Sequence, residues 1–147
     1  MEISGEHRFD APPSVVWELL LDPQALQAAM PGCERFVEVG PESYDLTIRV
    51  GIAAIKGTYS GNVKVADRTE GESYRLVVSG GGKPGAVQGN ALMKLNEAPG
   101  GTLVTYTGEV KAQGAIARLG SRLLGGAAKL MIGQFMKGME KQVESRV

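Results

Sequence analysis

Residues 115–143 read AIARLGSRLLGGAAKLMIGQFMKGMEKQV, and the spacing of their apolar and charged members decides the fold. Apolar side chains recur at Ile116, Leu119, Leu123, Leu124, Ala127, Ala128, Met131, Phe135, Met139 and Val143, and cations at Arg118, Arg122, Lys129, Lys137 and Lys141. Steps of three and four residues place each set on one side of a helix. The spacing predicts one amphipathic helix over the whole stretch, on the order of 40 Å long at about 1.5 Å per residue. Gly120, Gly125, Gly126, Gly133 and Gly138 interrupt it, each costing about 0.5–1 kcal/mol relative to alanine. Helix propensity does not explain them, so a packing or site requirement is expected to.

Upstream of this stretch the period changes to two. Tyr44, Leu46, Ile48, Val50 and Ile52 alternate with polar residues or glycine, as do Tyr59, Gly61, Val63 and Val65. The same holds for Tyr74, Leu76 and Val78, for Val87, Gly89, Ala91, Met93 and Leu95, and for Val104, Tyr106, Gly108 and Val110. Turn signals separate these runs at Gly40-Pro41, residues 67–71, residues 80–85 and Pro99-Gly100-Gly101. Alternation with short connections predicts consecutive antiparallel strands, buried on one face and wet on the other.

At the amino end, Glu2 to Phe9 alternates as a first strand. Two proline-initiated helices are then expected, one beginning near Pro12-Pro13 and one over residues 23–29. The predicted order is one strand, two short helices, about six strands and a long helix. This makes a single α+β domain over residues 1–147, a curved antiparallel sheet of about seven strands wrapped around its last helix.

With 43% hydrophobic residues, 147 residues can build a sizeable core. The 16 basic and 16 acidic residues cancel, which argues against a generally basic nucleic-acid-binding surface. Residues 115–147 carry six Lys or Arg and two Glu, net +4, so the rest of the chain carries net −4. Lone Cys33 excludes an internal disulfide or a multi-cysteine metal site and fits a reducing, cytoplasmic setting. No uncharged run exceeds eleven residues, so neither a signal peptide nor a membrane span is expected.

The inward strand positions contain no Asp, Glu, Lys or Arg, and His7 is the only imidazole. General acid–base chemistry needs a titratable group within reach of the substrate, and this interior offers one candidate with no partner carboxylate. Glycines at positions 61, 89 and 108 and Ala91 thin the inward face. One reading is an elongated apolar cavity between sheet and helix; the other is that these residues allow sheet coiling and tight helix docking with no cavity. His7 is read as a packed core residue or a general base, and Cys33 as a structural or a reactive thiol. The run Gly80-Gly81-Gly82-Lys83-Pro84-Gly85 fails the phosphate-loop order, since Pro84 follows Lys83, and reads as a hairpin loop or flap. The tyrosines are read as hydrogen-bond donors to a ligand or as core residues with wet hydroxyls.

The layout resembles the START/Bet v 1-like superfamily with its helix-grip fold. Met30-Pro31-Gly32-Cys33-Glu34, then Ile55-Lys56-Gly57-Thr58-Tyr59-Ser60-Gly61 leading to Val65-Ala66-Asp67, then Leu119-Gly120-Ser121-Arg122-Leu123 with Gln134-Phe135, resemble the carbon monoxide dehydrogenase G-subunit family over essentially the whole chain. The resemblance implies a non-catalytic accessory protein of a molybdenum-containing hydroxylase of the carbon monoxide or xanthine dehydrogenase type. It also implies placement of that enzyme at the membrane and carriage of a lipid or quinone. Some relatives carry a further carboxy-terminal anchor; this chain reaches Val147 without one, so a soluble or peripheral carrier at the inner face of the membrane is expected.

The expected ligand is an isoprenoid quinone or another lipid, held without a covalent bond or a metal. Its expected lining is Leu46, Ile48, Val50, Tyr59, Val63, Leu76, Val78, Met93, Tyr106, Leu123, Ala127, Met131 and Phe135. Arg118, Arg122, Lys129, Lys137 and Lys141 are the expected partner or membrane surface, or a merely solvated face. Two alternatives stand beside this one: a cyclase or hydrolase using His7 or a cavity tyrosine, and an interaction module with a filled interior.

Overall fold

The computed structural model describes residues 1–146. Its elements are β1 (Glu2–Phe9), α1 (Pro13–Leu20), α2 (Pro23–Ala29), β2 (Cys33–Gly40), β3 (Ser43–Val50), β4 (Gly57–Thr69), β5 (Ser73–Gly82), β6 (Gly85–Ala98), β7 (Gly101–Gln113) and α3 (Gly120–Arg146), with 3₁₀ turns at Ala53–Ile55 and Ala115–Leu119. The seven strands form one antiparallel sheet in the order β1-β7-β6-β5-β4-β3-β2. Each strand from β2 to β7 pairs with its sequence neighbour, as the short turns require, and β1 adds beside β7 in a register running from Glu2–Glu109 to Phe9–Thr102. The sheet grips α3, as the sequence predicts.

Strands β1 and β2 lie at opposite edges of the sheet, so α1 and α2 must cross from one to the other. Proline starts both helices, where its missing N–H costs nothing. Asp22 caps α2 by accepting a hydrogen bond from the Gln24 backbone N–H at 3.0 Å. Val16, Trp17, Leu19 and Leu20 of α1 and Ala25 and Ala29 of α2 are buried. They meet Phe9, Tyr74, Met93, Val104, Met136, Met139 and Val143 in one hydrophobic core. Thr102, the buried polar residue of this region, donates to the Ala11 carbonyl at 2.8 Å.

Two expectations about backbone need correction. The stretch from Ala115 is not one helix: a 3₁₀ turn ends at Leu119, and Gly120 at φ +85° reorients the chain before α3 begins. A positive φ is accessible to glycine without strain. Residues 80–82 are not loop either, because Gly80, Gly81 and Gly82 pair with Val87, Ala86 and Gly85 and leave only Lys83-Pro84 as the turn.

Candidate functional site

The core fills only one end of the grip. At the other end, between the sheet and the first half of α3, lies a cavity of about 230 Å³. Its sheet wall is Leu46, Ile48 and Val50 of β3, Tyr59 and Gly61 of β4, Val78 and Gly80 of β5, Val87 of β6, and Val110 and Ala112 of β7. Leu124, Ala127, Ala128 and Met131 of α3 face them, and Met1, Ile55 and Ile116 complete the enclosure. Val78 stays 37% exposed, so the cavity communicates with solvent.

Residue size along each strand explains why this end is hollow. On β5 the inward positions run from Tyr74 in the core to Val78 and Gly80 at the cavity; on β7 they run from Val104 in the core to Val110 and Ala112. On α3, Phe135, Met136, Met139 and Val143 pack on the core, while Ala127 and Ala128 stand at the cavity. Short side chains on both walls cannot meet across the gap.

Of the thirteen lining positions expected from sequence, Leu46, Ile48, Val50, Tyr59, Val78, Ala127 and Met131 lie on the cavity wall. The other six do not. Met93 is a core residue, and Leu76, Tyr106 and Phe135 pack against that core. Val63 lies on β4 between Gly61 of the cavity wall and Val65 of the core, and belongs to neither. Leu123 is 47% exposed. Successive helix positions are about 100° apart, so its neighbour Leu124 faces the sheet in its place. Met1, Ile55, Gly61, Gly80, Val87, Val110, Ala112, Ile116, Leu124 and Ala128 also stand on the wall and were not among the thirteen. Val87 and Val110 were legible as inward strand positions and Ile116 as part of the helical stripe; Met1 and Ile55 had no periodic signal.

The helix glycines are not what hollows the site. A Cβ on Gly138 would sit 2.6 Å from the Ala29 carbonyl oxygen, so this glycine lets α3 dock tightly on α2. Around Gly126 and Gly133 there is open space instead. In the sheet, Gly61 and Gly108 sit where the neighbouring backbone leaves no room for a Cβ, at the carbonyls of Ser79 and Asn90. Side chains are excluded there by sheet coiling, and Gly61 also forms part of the cavity wall.

The chemistry of the wall is sparse. Ser60 and Ser79 contribute backbone, since alternation turns their side chains to the opposite, exposed face, where Ser60 shares a hydrogen bond with Thr47 at 3.2 Å. The Tyr59 hydroxyl donates its proton to the Ile55 carbonyl at 2.6 Å, and burial raises its pKa. Tyr44 stacks on Phe36, and Tyr74 lies edge-on to Trp17 in the core.

His7 is not on the wall. Its Nε2 lies 3.6 Å from Glu140 Oε1 without a hydrogen bond, and its ring rests against Phe9 with centroids 4.9 Å apart. The Cys33 thiol donates to the Arg35 carbonyl at 3.3 Å, and burial pushes its pKa up, the reverse of what a reactive thiolate needs. Among the described residues no His, Cys, Asp or Glu cluster is placed to hold a metal ion, and no helix is long and apolar enough to cross a membrane.

Arg118, Arg122, Lys129, Lys137 and Lys141 are all exposed. Lys56 and Lys83, not singled out from sequence, join two of them at the cavity end. Lys56 follows the cavity residue Ile55, and Lys83 precedes Pro84, whose carbonyl accepts from the Ile116 N–H at 2.9 Å.

A seven-stranded sheet closed on a long helix, with an apolar cavity between them, defines a helix-grip protein of the START/Bet v 1-like class. Solved structures agree. A conserved protein from Geobacillus kaustophilus has a TM-score of 0.95 at 32% identity, covering 99% of this chain and 96% of that one. A START superfamily protein from Mycobacterium smegmatis has a TM-score of 0.77 at 12% identity, covering 99% of each chain. Ara h 8.0201 has a TM-score of 0.72 at 18% identity, covering 99% of this chain and 98% of that one; the last two likenesses concern the fold alone. Residues 5–144 match the carbon monoxide dehydrogenase G-subunit (CoxG) family, and the chain belongs to that family. No curated protein matches the sequence.

Proposed function

We propose that this protein is a non-catalytic carrier that holds the apolar chain of an isoprenoid quinone or another lipid between the sheet and the first half of α3. The observation that carries this reading is the cavity wall, apolar on both sides, with the proton of its one side-chain hydroxyl already committed to Ile55. Such a wall stabilises a hydrocarbon chain by about 25 cal/mol per Å² of apolar surface removed from water and has no group to move a proton. The family supports an accessory role beside a molybdenum-containing hydroxylase of the carbon monoxide dehydrogenase type, with the carrier linking that enzyme to the inner face of the membrane from the cytoplasm.

Native mass spectrometry of protein drawn gently from cells tests the reading. A co-purifying lipid or quinone is expected, and so is binding of added quinone. Repeated absence of both would sink it. For the membrane link, the expectation is that charge reversal at Arg118 and Arg122 weakens sedimentation with vesicles containing phosphatidylglycerol; unchanged sedimentation leaves those residues as ordinary solvated charge.

A further inference from the structure

Two of the three segments that close the end of the cavity are fastened to each other. The Ile116 N–H donates to the Pro84 carbonyl at 2.9 Å, and Ile116 is buried. Gly85 packs on the Gln113 carbonyl with no room for a Cβ. The hairpin at Pro84 and the turn at Ile116 therefore form a fixed frame.

The third segment, residues 51–56 between β3 and β4, is held differently. No residue in it is buried, and Gly51, Ala53, Ala54 and Lys56 are exposed. Its Ile55 N–H bonds back to the Ile52 carbonyl at 3.0 Å, inside the segment. Among the described residues, its one hydrogen bond to the rest of the protein comes from the Tyr59 hydroxyl, which donates to the Ile55 carbonyl at 2.6 Å. That donor sits on β4 opposite Ile48, so it stays with the sheet if the segment moves. Ile55 stands on the cavity wall while Ala53 and Ala54 beside it face solvent, so the segment separates cavity from solvent at this end.

A segment with little burial and one tether opens at a lower free energy than the strands it joins. Its ends suit such a motion. Gly51 has nothing within 4 Å of the place a Cβ would take, and at the other end Gly57 rests on Pro84 of the fixed frame, where an added Cβ would lie 3.0 Å from Cγ. A few residues at the ends of a moving segment absorb its change in backbone angles.

We propose that residues 51–56 form a lid over this end of the cavity, latched by the Tyr59 hydroxyl, and that ligand passes beneath it. This rests on the carrier reading and adds to it a route and a positioning residue. The hydroxyl acts through the Ile55 carbonyl rather than on the ligand.

Tyr59→Phe keeps the ring on the wall and removes the latch. Stopped-flow mixing with the neutral fluorophore N-phenyl-1-naphthylamine measures passage, and trypsin cleavage after Lys56, within the lid, measures opening. The variant is expected to bind and release the fluorophore about threefold to tenfold faster, the factor one lost hydrogen bond allows. Cleavage after Lys56 is expected to speed up by a similar factor, and cleavage after Lys64, inside β4, to stay slow in both proteins, which excludes a general loosening of the fold. Faster cleavage with unchanged binding rates means that ligand enters elsewhere, at the solvent-exposed Val78; the lid is then wrong and the carrier reading stands. Faster release with unchanged association makes the hydroxyl a ligand contact and overturns the latch, as does unchanged cleavage after Lys56. If the unmodified protein does not bind the fluorophore, the carrier reading falls and the lid with it.

Discussion

The two halves of α3 share one apolar stripe and meet opposite fates. From Met136 to Val143 the helix is buried against α1, α2 and the sheet, with Met139 wholly inaccessible. From Leu124 to Met131 it faces a gap. Both halves keep the same helical stripe, so amphipathicity does not distinguish them. What differs is size on both sides: Phe135, Met136, Met139 and Val143 meet Phe9, Trp17, Tyr74 and Met93 in the second half, whereas Ala127 and Ala128 face Gly61, Gly80, Val87 and Ala112 in the first. One end is packed for stability, and the other is left open.

The sharpest way to break that contrast is to truncate one methionine in each half. Met139→Ala removes a fully buried side chain and should cost about 2–5 kcal/mol, whereas Met131→Ala at the cavity should cost less than about 1 kcal/mol. Urea denaturation of the two variants measures this, and equal losses would mean that the halves are packed alike. Next in size, Ala127→Trp should fill the gap and weaken N-phenyl-1-naphthylamine binding by about tenfold or more while the urea midpoint changes little, since the added ring enters space already present. Unchanged probe binding in that variant would place the ligand elsewhere.

An effect of comparable size concerns Thr102. Replacing it with valine leaves the buried Ala11 carbonyl without its donor and should cost about 1–3 kcal/mol at the packed end, with probe binding at the open end unaffected.

The smallest effect is a pH dependence of the packed end alone. Burial raises the pKa of Tyr74 above its ordinary value of 10.0, so the folded state keeps the proton after the unfolded chain begins to lose it. The stability Tyr74 contributes is therefore fully present below that ordinary value and is lost as pH rises above it. Urea midpoints followed upward from about pH 9 should fall for the unmodified protein and fall less for Tyr74→Phe; parallel curves would assign the decline to other groups.

Strand order, the two proline-started helices and the gripping helix were legible because each rests on local periodicity or turn chemistry. Periodicity reports which face a residue takes but not how far along the element the interior is filled. Met93, Tyr106 and Phe135 thus face inward, as their spacing says, and still miss the cavity. Their neighbours in space, Trp17 and Phe9, come from distant parts of the sequence and fill that end. Ile55 escaped notice because it sits in a 3₁₀ turn, where neither period applies, and Ile116, read as the start of the long helix, also lies in such a turn. The Gly138 contact with Ala29 is likewise invisible without knowing that α2 crosses there.

That contact makes α3 a cantilever. The helix is clamped where Gly138 meets the backbone of α2 and where Met139 and Val143 are buried, while toward Gly120, whose backbone turn joins it to the preceding segment, it borders the cavity. Anchorage and cavity therefore rest on different turns of one helix, so substitutions at the wall leave the clamp untouched.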